Sequence, residues 1–234
     1  DTILRQVLGN IISGFFPHRC ALCGCTAEPG RPYPLCSRCE SLLTPIRRPV
    51  CPLCGRSLIS EQGICMECRR KQQCFDQLLP IYAYRGSIRD LVIAYKGKGR
   101  KSLAMFFAEK ISGKLKDEGL AREVLVPVPP RRGKIHKEGW DQIDAIMRVL
   151  EKRHGHKVMR LLRRGSVKRE QKRLSEAERS INIRGQFSLA GTEVPRFVIL
   201  VDDICTTGAT LSECSLVLKR AGAGRVCGIV LAAD

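Results

Sequence analysis

The sequence predicts an α/β protein in which a parallel sheet is flanked by helices and preceded by a cysteine-rich metal-binding module. Four CxxC pairs occupy the first third of the chain. Apolar, β-branched segments then alternate with segments of helical periodicity, and the most apolar segment stops at two acids. Such alternation is typical of a parallel sheet covered on both faces. We therefore expect an N-terminal helix and a cysteine-rich module over 1–78, and an α/β domain over 79–234.

Eight of the thirteen cysteines form the four CxxC pairs. One CxxC turn presents two thiolates to an ion, and two turns complete a tetrahedral four-cysteine site for Zn²⁺. We predict two structural zinc sites and prefer sequential pairing along the chain, although the spacing also allows an interleaved cross-brace. An odd cysteine count suits metal binding in a reducing cytosol better than a disulfide framework, which predicts a cytoplasmic location. The predicted ligands are Cys20, Cys23, Cys36, Cys39, Cys51, Cys54, Cys65 and Cys68.

Hydrophobic periodicity places the remaining elements. Residues 3–16 predict an amphipathic helix packed on the protein rather than a signal peptide, because no basic segment precedes an uninterrupted apolar core. No run of 18 apolar residues occurs, so we expect no membrane span. The pattern predicts strands over 78–84, 124–130, 157–161, 197–202 and 225–231. It predicts helices over 87–95, 102–118, 140–153 and 209–221.

The strand that ends at two acids runs into a turn rich in threonine and glycine, and a helix follows. In an open parallel sheet such a turn lies where ligands bind, and the helix N-terminus favours an anion. The carboxylates can accept hydrogen bonds from sugar hydroxyls or hold a hydrated Mg²⁺. An ordinary strand-to-helix turn with Asp and Thr as caps is the alternative. The segment reads Phe197-Val198-Ile199-Leu200-Val201-Asp202-Asp203-Ile204-Cys205-Thr206-Thr207-Gly208-Ala209-Thr210.

This string resembles the phosphoribosyl pyrophosphate (PRPP) loop of type I phosphoribosyltransferases. The resemblance implies a type I phosphoribosyltransferase fold, with Mg²⁺ bridging the pyrophosphate of PRPP. It implies that Asp202 and Asp203 meet the ribose 2′- and 3′-hydroxyls, and they are the candidate catalytic residues. The residues implied to wrap the 5′-phosphate are Thr206, Thr207, Gly208, Ala209 and Thr210.

A second loop, 131–142, also follows a predicted strand and precedes a predicted helix. It begins with cations, and Arg131 is a candidate for the pyrophosphate of PRPP because a guanidinium matches phosphate oxygens in a fork. A solvated basic face is the alternative. The cysteine of the first loop, Cys205, is expected to pack or to space the loop, since no histidine lies near it in sequence to activate a nucleophile.

Positive charge is concentrated in the middle of the chain. The protein has a formal net charge of +18, and residues 79–190 alone carry 27 basic and 12 acidic side chains. Within 160–173, seven cations stand beside one acid, which predicts either a mobile lid or a surface for single-stranded DNA. Aromatic residues are scarce, so DNA contacts should be electrostatic and salt-sensitive. The candidate nucleic-acid residues are Arg163, Arg164, Lys168, Arg169, Lys172 and Arg173.

The order of these motifs along nearly the whole chain resembles the ComF (ComFC) family of competence proteins. It implies a cytoplasmic protein of natural transformation that assists uptake of single-stranded DNA beside the ComFA helicase and DprA. One departure is Glu138-Gly139-Trp140-Asp141-Gln142, where the family usually has Arg-Gly-Phe-Asn-Gln. The motifs are the CxxC pairs with Cys51-Pro52-Leu53-Cys54-Gly55, Phe75-Asp76, Tyr95-Lys96-Gly97, Val126-Pro127-Val128-Pro129, Gln171…Leu174-Ser175…Arg179…Asn182…Gly185-Gln186-Phe187 and the PRPP loop.

Two functions are compatible with these motifs. The first is a PRPP-binding competence protein that assists the handling of single-stranded DNA. The alternative is a phosphoribosyltransferase of nucleotide salvage, or one that acts on an unknown amine or base. No residue identifies the nucleophile that would take the phosphoribosyl group, so the sequence leaves open whether turnover occurs.

Overall fold

A computed structural model describes residues 18–47, 49–58, 63–70, 73–97, 100–131, 133, 139–165 and 185–234. The helix predicted over 3–16 lies outside these residues. The helices are α1 Ser37–Ser41, α2 Met66–Arg70, α3 Gly86–Gly97, α4 Leu103–Asp117, α5 Gln142–His154 and α6 Ala209–Arg220. The strands are β1 Gln77–Ala83, β2 Val124–Pro127, β3 Leu162–Arg164, β4 Phe187–Leu189, β5 Phe197–Cys205 and β6 Arg225–Ala233.

Four of the strands form a parallel sheet in the order β1-β6-β5-β2. Cys205 and Ala83 both pair with Ala233, so these strands end at the same edge of the sheet. The prediction of a strand over 157–161 is wrong. Within these residues the structure has a single parallel bridge, between Val158 and Leu125 of β2. β5 is longer than predicted and includes both acids.

Helices cover both faces of the sheet because side chains on a strand alternate between its two sides. On β5, Ile199 and Val201 belong to a core that also contains buried residues of α3, α4 and α5. Val198 and Leu200 belong to a second core, with apolar residues of α6 and of the β3–β4 hairpin. The predicted fold class is confirmed: a parallel sheet is flanked by helices and follows an N-terminal zinc-binding module.

The cysteine-rich module is packed against this sheet rather than tethered beside it. Leu35 is fully buried and shares one apolar cluster with β1 and α4. The ring of Tyr33 meets that of Phe106 edge to face, with centroids 5.3 Å apart. The division of the chain at residue 78 stays a prediction. Across the residues that the structure describes, no helix has the length and apolar character needed to cross a membrane.

Candidate functional site

Two neighbouring acids lie at the end of β5, at the edge of the sheet where the parallel strands finish. The backbone N–H of Asp203 donates to Oδ1 of Asp202 over 2.8 Å. Burial, and next the negative charge of Asp203, raise the pKa of Asp202 to about 7. The pair therefore holds closely spaced carboxyl oxygens that can accept from hydroxyl groups or face a hydrated cation.

Lys96 supplies a positive charge to this pair. Its Nζ atom lies 2.8 Å from Oδ2 of Asp203, whose side chain is 13% exposed. Lys96 stands near the end of α3, directly after Tyr95, a fully buried residue. The Tyr95 hydroxyl donates to the backbone oxygen of Gln142 over 2.7 Å, and its ring packs edge to face on Trp140. These contacts fix the end of α3 and hence the position of the ammonium group.

The turn after β5 begins at Thr206 and leads into α6. Gly208 is the N-cap of α6 with a φ of 76°, in the left-handed region that suits glycine. No side chain caps the helix from this position, and the Thr207 hydroxyl accepts from the Ala209 N–H over 3.4 Å. Backbone amides at such a helix start, with threonine hydroxyls beside them, are groups that bind phosphate.

Cys205, the last residue of β5, is a buried thiol directly before this turn. Burial, and next the charge of Asp202, raise its pKa to about 12. A thiol that stays protonated at neutral pH is a poor nucleophile. This agrees with the expectation that Cys205 packs or spaces the loop.

Arg164 is half-buried and does not belong to an exposed basic face. Its guanidinium donates to Oε1 of Gln186 over 3.0 Å and lies 4.9 Å from the centre of the Phe187 ring. Burial, and next the positive charge of Arg131, lower the pKa of Arg164, and the negative charge of Asp202 opposes this shift. Arg131, which follows β2, and Arg164, at the end of β3, are therefore two cations whose charges interact with each other, and that of Arg164 also interacts with Asp202.

The eight CxxC cysteines form two clusters of four. The ligand atoms within each cluster lie within 4.8 Å of one another, and the grouping is the sequential one. Tetrahedral zinc with Zn–S bonds of about 2.3 Å separates its sulfurs by about 3.8 Å. Cys23 and Cys36 have sulfurs 3.8 Å apart, and those of Cys54 and Cys65 are 3.6 Å apart. The donor set and spacing thus fit one Zn²⁺ in each cluster.

The two clusters are built alike. In each, a CxxC turn closes with a glycine of positive φ, Gly24 or Gly55, and a short helix begins directly after the first cysteine of the second CxxC. Burial opposes ionisation of Cys20, but backbone N–H donors, that of Cys23 first, lower its pKa to about 6. In the other cluster the same balance lowers the pKa of Cys51 to about 7. Each cluster therefore contains a thiol that readily becomes a metal-binding thiolate.

Comparison with known proteins agrees with this geometry. Residues 11–69 match the family model described as a double zinc ribbon domain. The chain is 29% identical to competence protein ComFC of Streptococcus pneumoniae, covering 81% of this chain and 83% of that protein. It is 27% identical to competence protein F of Haemophilus influenzae, covering 89% and 93%. The resemblance to the ComF family is confirmed.

The similar proteins include some that are not named for competence. DNA utilization protein YhgH of Escherichia coli K12 is 25% identical, covering 90% of this chain and 94% of that protein. A solved structure of an allosteric regulatory enzyme of purine biosynthesis aligns at 22% identity and a TM-score of 0.35, covering 56% of this chain and 24% of that one. At that score the alignment adds nothing to the strand order described above.

The six basic residues predicted to meet nucleic acid do not share one environment. Arg164 is half-buried and donates to Gln186, whereas Arg163 is exposed and donates to the backbone oxygen of Leu189. The other four, Lys168, Arg169, Lys172 and Arg173, lie outside the described residues. The sequence predicts no role for Lys96, and its only local signal is its place in the Tyr95-Lys96-Gly97 motif at the end of a predicted helix.

Proposed function

We propose that this protein binds PRPP with Mg²⁺ at the end of β5 and assists the handling of single-stranded DNA in natural transformation. The observation that supports PRPP binding is that the acid pair and the turn that suits a phosphate follow each other directly in the chain. Within a few residues, β5 presents Asp202 and Asp203, and the turn presents hydroxyls and the start of α6. Ribose and its 5′-phosphate need those two kinds of group side by side.

Each part of PRPP meets a different part of the site. Asp202 and Asp203 accept from the ribose 2′- and 3′-hydroxyls, and residues 206–210 surround the 5′-phosphate. Arg131 and Arg164 face the pyrophosphate, where forked guanidinium donors suit phosphate oxygens. Mg²⁺, held by the pyrophosphate, supplies charge neutralisation there.

Calorimetry with Mg-PRPP tests this assignment. Wild-type protein should bind, and Asp203→Asn should bind at least about tenfold more weakly because a charged acceptor of a ribose hydroxyl is lost. Asp90→Asn is the matched control, since Asp90 is exposed on α3. Failure of the wild-type protein to bind Mg-PRPP would refute the proposal, as would equal affinities of the three proteins.

The DNA role rests on charge and on the relatives. The segment 79–190 has an excess of basic residues, and the relatives are named for competence and for DNA utilization. We propose that single-stranded DNA binds the basic segment 160–173. We further propose that the protein acts in the cytoplasm beside the ComFA helicase and DprA. Affinity should fall steeply with salt because each neutralised phosphate releases a counterion.

A titration with single-stranded DNA at several salt concentrations checks the DNA role. Reversing Arg163, Lys168 and Arg169 to Glu should weaken binding and flatten the salt dependence. Arg122→Glu, which reverses an exposed charge elsewhere, is the control. An affinity independent of salt, or unaffected by the triple variant, would count against this role.

A cavity at the end of β2, the strand next to β5, favours catalytic transfer as the second candidate function. It has a volume of about 500 Å³ and lies at the end of β2, between Val128, Trp140 and Arg160. This volume could admit a base or amine as phosphoribosyl acceptor. A salvage phosphoribosyltransferase would release pyrophosphate from PRPP when its acceptor is added. Screening bases and amines for pyrophosphate release distinguishes this function from binding alone.

A further inference from the structure

A residue outside the PRPP loop holds the backbone of that loop. Gln73 lies five positions after Cys68, the last ligand of the second zinc cluster. Its Nε2 donates to the backbone oxygen of Thr207 over 3.2 Å. Its Oε1 accepts from the Ser212 hydroxyl of α6 over 2.5 Å. The carboxamide thus bridges the turn and the first part of the helix that follows it.

This bridge fixes one peptide unit of the loop. In a trans peptide the carbonyl and the following N–H point in opposite directions. The Thr207 carbonyl accepts from Gln73, so the Gly208 N–H points away from Gln73. The contact therefore fixes the orientation of the peptide between Thr207 and Gly208, and with it the direction of the turn.

Gly208 permits the close approach of Gln73. A Cβ atom at Gly208 would lie 3.1 Å from Oε1 and 3.2 Å from Nε2 of Gln73. Contacts that short require the neighbour to move, so a side chain at 208 would displace the carboxamide. The absence of a side chain thus serves the contact with Gln73 as well as the positive φ of this turn.

The second zinc cluster supports this arrangement from its other end. The N–H of Leu78 donates to the Leu53 oxygen over 2.7 Å, and Gly55 is packed so closely that an added Cβ would lie 2.1 Å from Pro80. The cluster is thus seated on the start of β1. A cavity of about 300 Å³ separates it from the loop, lined by Cys54 and Cys68 on one side and by Thr206–Gly208 on the other.

We propose that Gln73 is a positioning residue for the PRPP loop, and that the second zinc cluster supports the ligand site through it. This inference rests on the proposed function, because the loop is taken as the phosphate site. Gln73 acts on the loop backbone and does not need to touch the ligand. Its loss should leave the fold and the zinc content unchanged while the loop becomes more mobile.

Two measurements on Gln73→Ala test the inference, with Gln77→Ala as the matched control. The Gln77→Ala variant also loses a carboxamide, but the side-chain partners of Gln77 are Arg225 and Cys227 of β6 and not the loop. In Gln73→Ala, hydrogen exchange of the amides of residues 206–210 should accelerate at least about tenfold without ligand, corresponding to one lost hydrogen bond. Affinities for Mg-PRPP and for ribose 5-phosphate should fall by a similar factor. Gln77→Ala should leave both unchanged.

The outcomes separate this inference from the proposed function. If wild-type protein does not bind Mg-PRPP, the proposed function fails, and loop exchange still decides whether Gln73 positions the loop. If wild type binds but Gln73→Ala matches it in exchange and affinity, the positioning role is overturned. Chelation of zinc from wild-type protein should accelerate exchange of the same amides; unchanged exchange after zinc loss would overturn the support by the cluster.

Discussion

The Nζ atom of Lys96 lies 2.8 Å from Oδ2 of Asp203, so an ion pair spans from the end of α3 to the end of β5. The pair joins an element of one helical layer to the acid pair at the edge of the sheet. It balances part of the charge that two adjacent carboxyls would otherwise concentrate there. A ligand that binds the Asp203 carboxylate must therefore do so while Lys96 also contacts it.

Removing the ammonium group should be costly and should change the acid pair. Lys96→Met is expected to lower the free energy of unfolding by about 1–2 kcal/mol, because a largely buried carboxylate loses its partner. The pKa of Asp202 should rise further, since Lys96 is one of the charges that lower it. Denaturant unfolding and a carboxyl NMR titration measure the two effects.

Arg148→Met is the control for Lys96→Met. It breaks an exposed ion pair with Asp144 on α5, and such pairs contribute at most about 0.5 kcal/mol. Equal losses of stability in the two variants would contradict the importance assigned to the Lys96–Asp203 pair.

Stability should depend on pH through Asp202. Its folded-state pKa is raised to about 7, above the ordinary value of 3.8, so between these values the folded protein binds a proton that the unfolded chain has lost. This group therefore makes the protein less stable as pH rises from about 4 to 7. Asp202→Asn should gain stability relative to wild type over that interval, as followed by urea unfolding at several pH values. A stability difference that does not vary with pH would contradict this.

Gly208→Ala should be more damaging than an ordinary replacement at positive φ. It combines backbone strain of about 1 kcal/mol with displacement of Gln73. Gly119→Ala isolates the strain, because Gly119 has a φ of 71° and nothing lies within 4 Å of an added Cβ. Thermal unfolding should rank Gly208→Ala below Gly119→Ala, and only Gly208→Ala should weaken binding of Mg-PRPP. A greater loss of stability in Gly119→Ala than in Gly208→Ala would contradict the importance of the close contact between Gly208 and Gln73.

Zinc should be present at two ions per chain, with four cysteines for each. Removal by a strong chelator should expose apolar residues that the module now buries against the sheet, such as Leu35 and Tyr33. Elemental analysis gives the stoichiometry, and circular dichroism with and without chelator follows the loss of structure. A content near one ion per chain would refute the second site.

Cys205 should be unreactive in spite of its place in the loop. Its pKa is raised to about 12, whereas Cys25 is exposed and belongs to neither cluster. Brief treatment of the zinc-loaded protein with iodoacetamide at pH 7.5 should label Cys25 and spare Cys205, as read by peptide mass spectrometry. Rapid labelling of Cys205 would reopen its interpretation as a nucleophile.

The sequence predicted features that depend on local pattern and spacing. The CxxC spacing predicted the two clusters, and the apolar run before Asp202 predicted β5 and the helix after the turn. Hydrophobic alternation predicted the parallel sheet, although it overestimated the strand at 157–161. The ends of elements were less accurate, because β5 continues to Cys205 through pairing with β6, which no local pattern reports.

The remaining features depend on contacts between residues far apart in sequence. Lys96 meets Asp203, and Gln73 meets Thr207, across more than 100 residues. β3 and β4 pair although more than 20 residues separate them in sequence, so these short strands were not recognisable as partners. In the sequence Arg164 is one more cation of a basic segment, and its partial burial at the end of β3 depends on Gln186 and Phe187, which lie more than 20 residues later.

The pairing of β1 with β6 has a consequence for synthesis of the chain. Within the described strands, β1 has β6 as its sole sheet partner, about 150 residues later. During synthesis, the cysteine clusters can bind zinc long before β6 leaves the ribosome, and the apolar β1 is then unpaired. We expect the metal-loaded module to cover part of β1 during this interval. A chain that ends before residue 225 should leave β1 without a strand to pair with.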